Sequence, residues 1–129
     1  MDYADFVETF VFNQHRADLF AGYLKHQALL SENDIPLLYQ WVDGSFASQK
    51  GSPKDIDVVN FVPADVYQQK TMIFRAIKEQ LTKIDAYFVC EYPADHPRRF
   101  ITDFDRTEWL HLFSTDRKRR KKGFVELNF

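Results

Sequence analysis

The stretch DIDVVNFV, residues 55–62, decides how this chain folds. Isoleucine, valine and phenylalanine fill five of its eight positions, a composition typical of a buried strand. Two aspartates, Asp55 and Asp57, interrupt the apolar run with only Ile56 between them. Because side chains at positions i and i+2 of a strand point to the same face, we expect the two carboxylates to lie side by side.

Further strands are predicted on both sides of this stretch. LLYQWV, residues 37–42, is apolar, favours β-structure and ends at Asp43. IDAYFVCEY, residues 84–92, is stopped by Pro93. GFVELNF, residues 123–129, alternates enough to form a last strand. The chain therefore has four candidate strands.

Helices are predicted in the remaining segments. Apolar residues recur every three or four positions over residues 1–30, and Asn13 is a candidate break between two helices there. Pro63 opens a helix that continues to about residue 81, since proline is well tolerated at a helix start. A shorter helix is predicted over residues 102–113. Three of its residues are expected to face inward: Trp109, Leu112 and Phe113.

The order of these elements predicts an α/β (α+β) fold in which helices flank a mixed β-sheet. At 129 residues, with 45% hydrophobic residues, the chain is expected to form a single domain over residues 1–129. Its parts are N-terminal helices over residues 1–30, a core over about residues 37–92, and a C-terminal helix, basic segment and strand over residues 102–129.

Charge is unevenly distributed along the chain, although the formal net charge is only -2. RKRRKK, residues 117–122, holds six of the 17 basic residues, so 11 basic residues face 19 acidic ones elsewhere, a net charge of -8. By default such a run, from Arg117 to Lys122, is a solvated cluster. The alternative is a contact with the phosphates of RNA or of a nucleotide.

Composition also bears on location. One cysteine, Cys90, excludes an internal disulfide and suits a reducing compartment. The N-terminal residues MDYADFVETF are acidic rather than signal-like, and no apolar run approaches the roughly 18 residues of a membrane span. We therefore expect a cytoplasmic protein with no membrane partner.

The aspartate pair predicts a metal site. Two carboxylates this close repel each other unless a cation lies between them. Mg²⁺ prefers carboxylate oxygens and keeps coordination positions for water and phosphates. Upstream, Gly44 lets the backbone approach a phosphate, and the hydroxyl of Ser45 can hydrogen-bond its oxygens. Lys54 is a candidate phosphate contact, although loop lysines are more often simply solvated.

These residues carry a family resemblance. Gly44-Ser45, nine residues, then Asp55-Ile56-Asp57-Val58 resembles the signature of the DNA polymerase β-like nucleotidyltransferase superfamily, over roughly residues 37–90. The local WVDGSF looks like a small bacterial branch of that superfamily. The pattern departs at Asp43, where the superfamily usually has an apolar residue. Asp43 is either an additional polar group at the site or a turn residue at the strand end.

The resemblance implies a site and an activity. Two Mg²⁺ ions, with Mn²⁺ as a substitute, would be held by Asp55, Asp57 and a third carboxylate, for which Asp85 is the candidate. A nucleoside monophosphate would move from an NTP, ATP or CTP, to a hydroxyl of RNA, tRNA or protein. Minimal members of the superfamily also imply a homo-oligomer or a partner protein, and a role in toxin–antitoxin or phage-defence modules.

Two alternatives stay open. Asp85 is either the third ligand or a cap at the strand entrance; alternation places it on one face with Tyr87 and Val89. The whole domain is either an enzyme or a catalytically silent, nucleotide-binding, antitoxin-like module that acts on a partner protein.

Overall fold

The computed structural model describes residues 2–11, 13–43, 55–114 and 124–129, which contain four helices and four strands. In chain order these are α1 (Tyr3–Phe10), α2 (Gln14–Glu32), β1 (Tyr39–Asp43), β2 (Ile56–Pro63), α3 (Ala64–Glu79), β3 (Ile84–Glu91), α4 (Arg99–Ser114) and β4 (Val125–Asn128). The mixed α/β class and the order of elements predicted from the sequence are confirmed. The predicted ends differ from the observed ones by at most three residues.

The two N-terminal helices are separated by a side-chain cap. The Oδ1 atom of Asn13 accepts a hydrogen bond from the backbone N–H of Arg16 at 2.8 Å, which satisfies one of the free donors at the start of α2. Asp2 caps α1 in the same way through the N–H of Asp5, also at 2.8 Å. The predicted division of this region at Asn13 is therefore confirmed.

The four strands form one mixed sheet in the order β3-β2-β1-β4. β1 runs antiparallel to β2 and β4, whereas β2 and β3 are parallel and are joined by α3 as their crossover helix. β2 therefore lies inside the sheet, and only Asp57 and Pro63 among its residues are not fully buried. Burial on both faces explains why its sequence is almost continuously apolar.

Helices cover both faces of the sheet. On one face, α1, α2 and α3 pack their apolar side chains against Val58 and Val62 of β2. On the other face, α4 inserts Phe113 against Trp41 and Phe61. The guanidinium of Arg106, on the same helix, lies 5.3 to 5.9 Å from the centroids of three aromatic rings in this layer: Tyr39, Trp41 and Phe61.

One predicted orientation on α4 is wrong. Phe113 is buried and Trp109 packs on the ring of Tyr87 at 4.6 Å, as expected, but Leu112 is 54% exposed. The inward stripe of α4 follows helical spacing through Thr102, Trp109 and Phe113. Leu112 precedes Phe113 by one residue, about 100° around the helix, and so points away from the sheet.

A buried polar network lies under the centre of the sheet, on the side of α2. Gln40 of β1 donates from Nε2 to Asn60 Oδ1 at 2.8 Å and to Gln27 Oε1 at 2.6 Å, and its own Oε1 accepts from the Tyr23 hydroxyl at 2.7 Å. The ring of His26 joins the network at both nitrogens, with Asn60 Nδ2 3.0 Å from Nε2 and Gln27 Oε1 2.9 Å from Nδ1. These bonds let polar side chains occupy the interior.

None of the described helices combines the length with the apolar character needed to cross a bilayer.

Candidate metal centre

Two neighbouring parallel strands, β2 and β3, start at the same edge of the sheet. Asp57 lies near the N-terminal end of β2 and is the register partner of Asp85 on the neighbouring parallel strand β3. Asp55 comes immediately before β2. Because partners in register across a pair of strands share a face, the parallel pairing brings the carboxylates of Asp57 and Asp85 together.

The three carboxylates form a tight group. One oxygen from each of Asp55, Asp57 and Asp85 lies within 4.8 Å of the other two. Asp55 and Asp57 are half-buried and Asp85 is exposed, so the group is anchored in the sheet on one side and open to solvent on the other. The structure therefore brings together the three aspartates that the sequence selects.

The donor set fits a hard divalent cation. All three groups offer carboxylate oxygens, the ligand type preferred by Mg²⁺ and also accepted by Mn²⁺. Mg²⁺ is usually held by only one or two carboxylates together with water and substrate oxygens, and the exposed side of Asp85 leaves room for these. Three like charges this close are also unfavourable without a counter-charge.

An aromatic wall stands beside the carboxylates on the same face of the sheet. Tyr87 follows Asp85 by two residues on β3 and is half-buried against the ring of Trp109. Burial raises the pKa of the Tyr87 hydroxyl, and the negative charges of Asp85, Asp57 and Asp55 raise this pKa further. The hydroxyl of Tyr87 therefore remains a neutral hydrogen-bond donor within the electrostatic field of the site.

A cation flanks the same ring. The Nζ atom of Lys78, near the end of α3, lies 5.1 Å from the centroid of Tyr87. This cation–π contact places a positive charge beside the wall that borders the three aspartates.

A fourth aspartate lies at this edge by its backbone position. Asp43 is the last residue of β1, and the antiparallel register pairs it with Asp57. The sequence left Asp43 open between a polar group of the site and a turn residue. The backbone of Asp43 therefore lies next to that of Asp57, which is also paired with Asp85 on its other side.

The remaining predicted site residues cannot be compared with this geometry. Gly44, Ser45 and Lys54 lie outside the described residues, as does the basic run at residues 117–122. Their roles stay predictions from the sequence.

Comparison with known protein families gives a match over nearly the whole chain. The model of a family of unknown function, DUF6932, matches residues 1–128. This chain belongs to the DUF6932 family. No curated protein and no solved structure matches the chain. For this DUF6932 member, support for a function comes from the three carboxylates themselves.

Sequence patterns explain part of this DUF6932 site and miss another part. The Asp-apolar-Asp spacing identifies Asp55 and Asp57, and an aspartate at the start of the next parallel strand identifies Asp85. Tyr87 carries no motif of its own. The signal that could have selected it is its spacing of two residues from Asp85, which places both side chains on one face of β3.

Proposed function

We propose that this protein is a Mg²⁺-dependent nucleotidyltransferase that moves a nucleoside monophosphate from an NTP, ATP or CTP, to a hydroxyl of RNA, tRNA or protein. The observation that carries the proposal is the cluster of Asp55, Asp57 and Asp85, whose oxygens lie within 4.8 Å of one another at the open edge of the sheet. Phosphoryl transfer depends mainly on positioning and charge stabilisation, and clustered carboxylates that hold metal ions are a recurring means to both.

The carboxylates serve as metal ligands in this proposal. Asp55, Asp57 and Asp85 would hold the divalent ions, with Mn²⁺ able to replace Mg²⁺. Once bound, these ions would neutralise charge on the phosphate oxygens of the substrate. Gly44 and Ser45 are proposed contacts to the triphosphate on the strength of the sequence resemblance. Lys54 is a proposed contact because it lies directly before Asp55 in the sequence.

Asp85 is the proposed general base because it is the exposed member of the cluster and is open to an acceptor. The acceptor hydroxyl gives its proton to the Asp85 carboxylate while its oxygen forms a bond to the α-phosphorus. The bond from the α-phosphorus to the bridging oxygen breaks, and pyrophosphate leaves with the electron pair. The neutral hydroxyl of Tyr87 is a candidate hydrogen-bond donor to a substrate oxygen in this site.

The proposal also covers the cellular location and the partners of the protein. Resemblance to minimal nucleotidyltransferases favours a cytoplasmic enzyme that works with a second copy or with a partner protein in a toxin–antitoxin or phage-defence module. This step rests on analogy with the superfamily.

Transfer of a labelled nucleotide tests the proposal. The purified protein would be incubated with Mg²⁺ and each NTP labelled at the α-phosphate, with either total RNA or lysate protein as the acceptor. Label on one acceptor class that disappears in the Asp55→Asn, Asp57→Asn double variant is the expected result. Glu32→Gln, an exposed charge change on α2, is the matched control and should retain full activity.

A different outcome would favour the interaction module. If no NTP gives label although the protein binds nucleotide in a metal-dependent manner, the transferase proposal fails. A stoichiometric protein that co-purifies with the chain would then identify the partner of a catalytically silent module.

A further inference from the structure

Helix α4 has a second apolar side besides the one that packs on the sheet. Four of its large apolar side chains are open to solvent: Phe100 is 68% exposed, Phe104 64%, Leu112 54% and Ile101 37%. We call these four residues the outer face of α4. Single exposed apolar residues are normal on a protein surface, whereas a group of them on one helix marks a site of interaction.

The outer face is continuous because its members follow helical spacing. Phe100, Phe104 and Leu112 are separated by multiples of four residues, and Ile101 precedes Phe104 by three. At about 100° per residue the four side chains span about 120° of the helix circumference, on the side away from the buried Phe113. A stripe of this width is typical of a helix that packs on another element.

Two opposite charges accompany the outer face. Arg98 directly precedes α4, Glu108 lies between Phe104 and Leu112, and both side chains are exposed. Within the described part of the chain, neither of the two forms an ion pair. Glu108 stands in the row of every fourth residue that is otherwise apolar, so its carboxylate would be unfavourable under a purely apolar cover. The occupant of this face must therefore bring a positive charge to Glu108.

A second copy of the chain supplies that charge. In a pair related by a two-fold axis every contact occurs twice, so a surface that carries both members of an ion pair can satisfy itself. Arg98 and Glu108 are ten residues apart. When two α4 helices lie antiparallel with Arg98 opposite Glu108, the axis passes midway between these positions, next to Phe104. The two Phe104 rings then meet at the centre of the contact.

The exposed area is enough for a small interface between two copies. A phenylalanine can bury about 200 Å², so the exposed parts of Phe100 and Phe104 amount to about 260 Å². Ile101 and Leu112 raise the apolar area to about 360 Å² on each copy. Since apolar atoms form about 60% of an interface, the pair would bury about 1,200 Å² in total, the lower end of the range for specific complexes.

We propose that the outer face of α4 is a dimer interface, formed with α4 of a second copy of the chain in antiparallel orientation. Arg98 pairs with Glu108 across the interface, and Phe104 packs on its counterpart at the two-fold axis. The proposal does not depend on the aspartate cluster or on nucleotidyl transfer, because the contact of Trp109 with Tyr87 lies on the inner side of the same helix.

Sedimentation velocity measures the dimer directly. The full 129-residue chain in EDTA is expected to change from monomer to dimer between about 1 µM and about 500 µM, since an interface of this size is weak. Phe104→Asp should weaken the dimer at least on the order of 100-fold, because it places two like charges at the axis. Met72→Asp, the same kind of change at an 88% exposed residue of α3, is the matched control and should dimerise like the wild type.

Exchange of the two charges tests the orientation of the helices. Arg98→Glu and Glu108→Arg should each weaken the dimer on the order of tenfold, because either change puts like charges opposite each other. The double variant restores an opposite pair and should recover the affinity of the wild type. Both side chains are exposed, so all three variants should fold, and circular dichroism spectra would verify this.

Three results would overturn the proposal. They are a wild type that stays monomeric at about 500 µM, a dimer that Phe104→Asp leaves intact, and a double charge variant that dimerises no better than the single ones. In the first case a different protein would become the candidate occupant of the outer face. Loss of nucleotidyl transfer with a retained dimer would count only against the proposed enzyme.

Discussion

Asp57 and Asp85 are register partners on the parallel strands β2 and β3, so two carboxylates occupy adjacent positions on one face of the sheet. Asp55 adds a third, with its oxygen within 4.8 Å of the other two. Like charges this close repel one another. A bound cation or the removal of one charge would reduce this repulsion.

This repulsion predicts that the wild type and a variant with one fewer carboxylate respond differently to metal. In EDTA, Asp85→Asn should raise the melting temperature by about 1–3 °C, because one like charge is removed at nearly constant volume. With 10 mM Mg²⁺ the wild type should gain stability by ligand binding, and the variant should gain much less. Thermal melts followed by circular dichroism would measure both effects, with Glu32→Gln as the control. A variant that melts below the wild type in EDTA and responds equally to Mg²⁺ would contradict this interpretation.

The cap of α2 predicts a specific loss of stability. Asn13→Ala removes the acceptor that Oδ1 provides to the N–H of Arg16 and should lower the free energy of unfolding by about 1 kcal/mol. Asn13→Asp retains an oxygen acceptor at this position and should lose much less. Urea denaturation of the two variants gives the comparison. Equal losses would show that some other property of Asn13 stabilises the chain.

Neighbouring residues on α4 predict opposite outcomes. Phe113→Ala leaves a cavity between α4 and the sheet, since Phe113 is only 4% exposed, and should cost about 3–5 kcal/mol. Leu112→Ala removes a side chain that is 54% exposed and should change stability by less than about 0.5 kcal/mol. Denaturant unfolding of both variants tests which of the two adjacent residues joins the α4 face to the sheet.

Much of this fold is predictable because local signals agree with it. Apolar periodicity and residues such as Asn13 and Pro63 place the elements, since caps and breakers act over a few residues. The order and direction of the strands are different, because they depend on contacts distant in the sequence. The parallel pairing of Asp57 with Asp85 follows from the crossover through α3, and the aspartate motif alone does not specify it.

The buried polar network and the pairing of Glu91 with Arg99 also depend on how separate elements pack together. Gln40 and Asn60 are isolated polar residues in apolar strands, and that mismatch is a usable signal, since register places them opposite each other. His26 joins them only through the packing of α2. Glu91 and Arg99 meet where β3 ends and α4 begins, and no motif in the sequence links them.

The pH dependence of stability should report on His26. Burial lowers the pKa of its imidazole to about 4, and the hydrogen bond with Gln27 offsets only part of this effect. In the neutral ring, Nδ1–H donates to Gln27 and Nε2 accepts from Asn60. A proton added at Nε2 would point at the N–H of Asn60, so that two donors would face each other. The folded state therefore resists protonation that an exposed histidine undergoes near pH 6.5.

The sign of the effect follows from proton binding in the two states. Between pH 6.5 and about 4 the unfolded chain binds a proton at His26 that the folded chain excludes, so the free energy of unfolding falls as the pH falls through this window. The contribution is fully present above pH 6.5 and amounts to about 3 kcal/mol for a shift of this size. Urea unfolding from pH 4 to 7 should show this slope in the wild type and in His111→Gln, an exposed histidine change. His26→Gln should be less stable at pH 7 but should lose the slope, and a variant that keeps it would place the titrating group elsewhere.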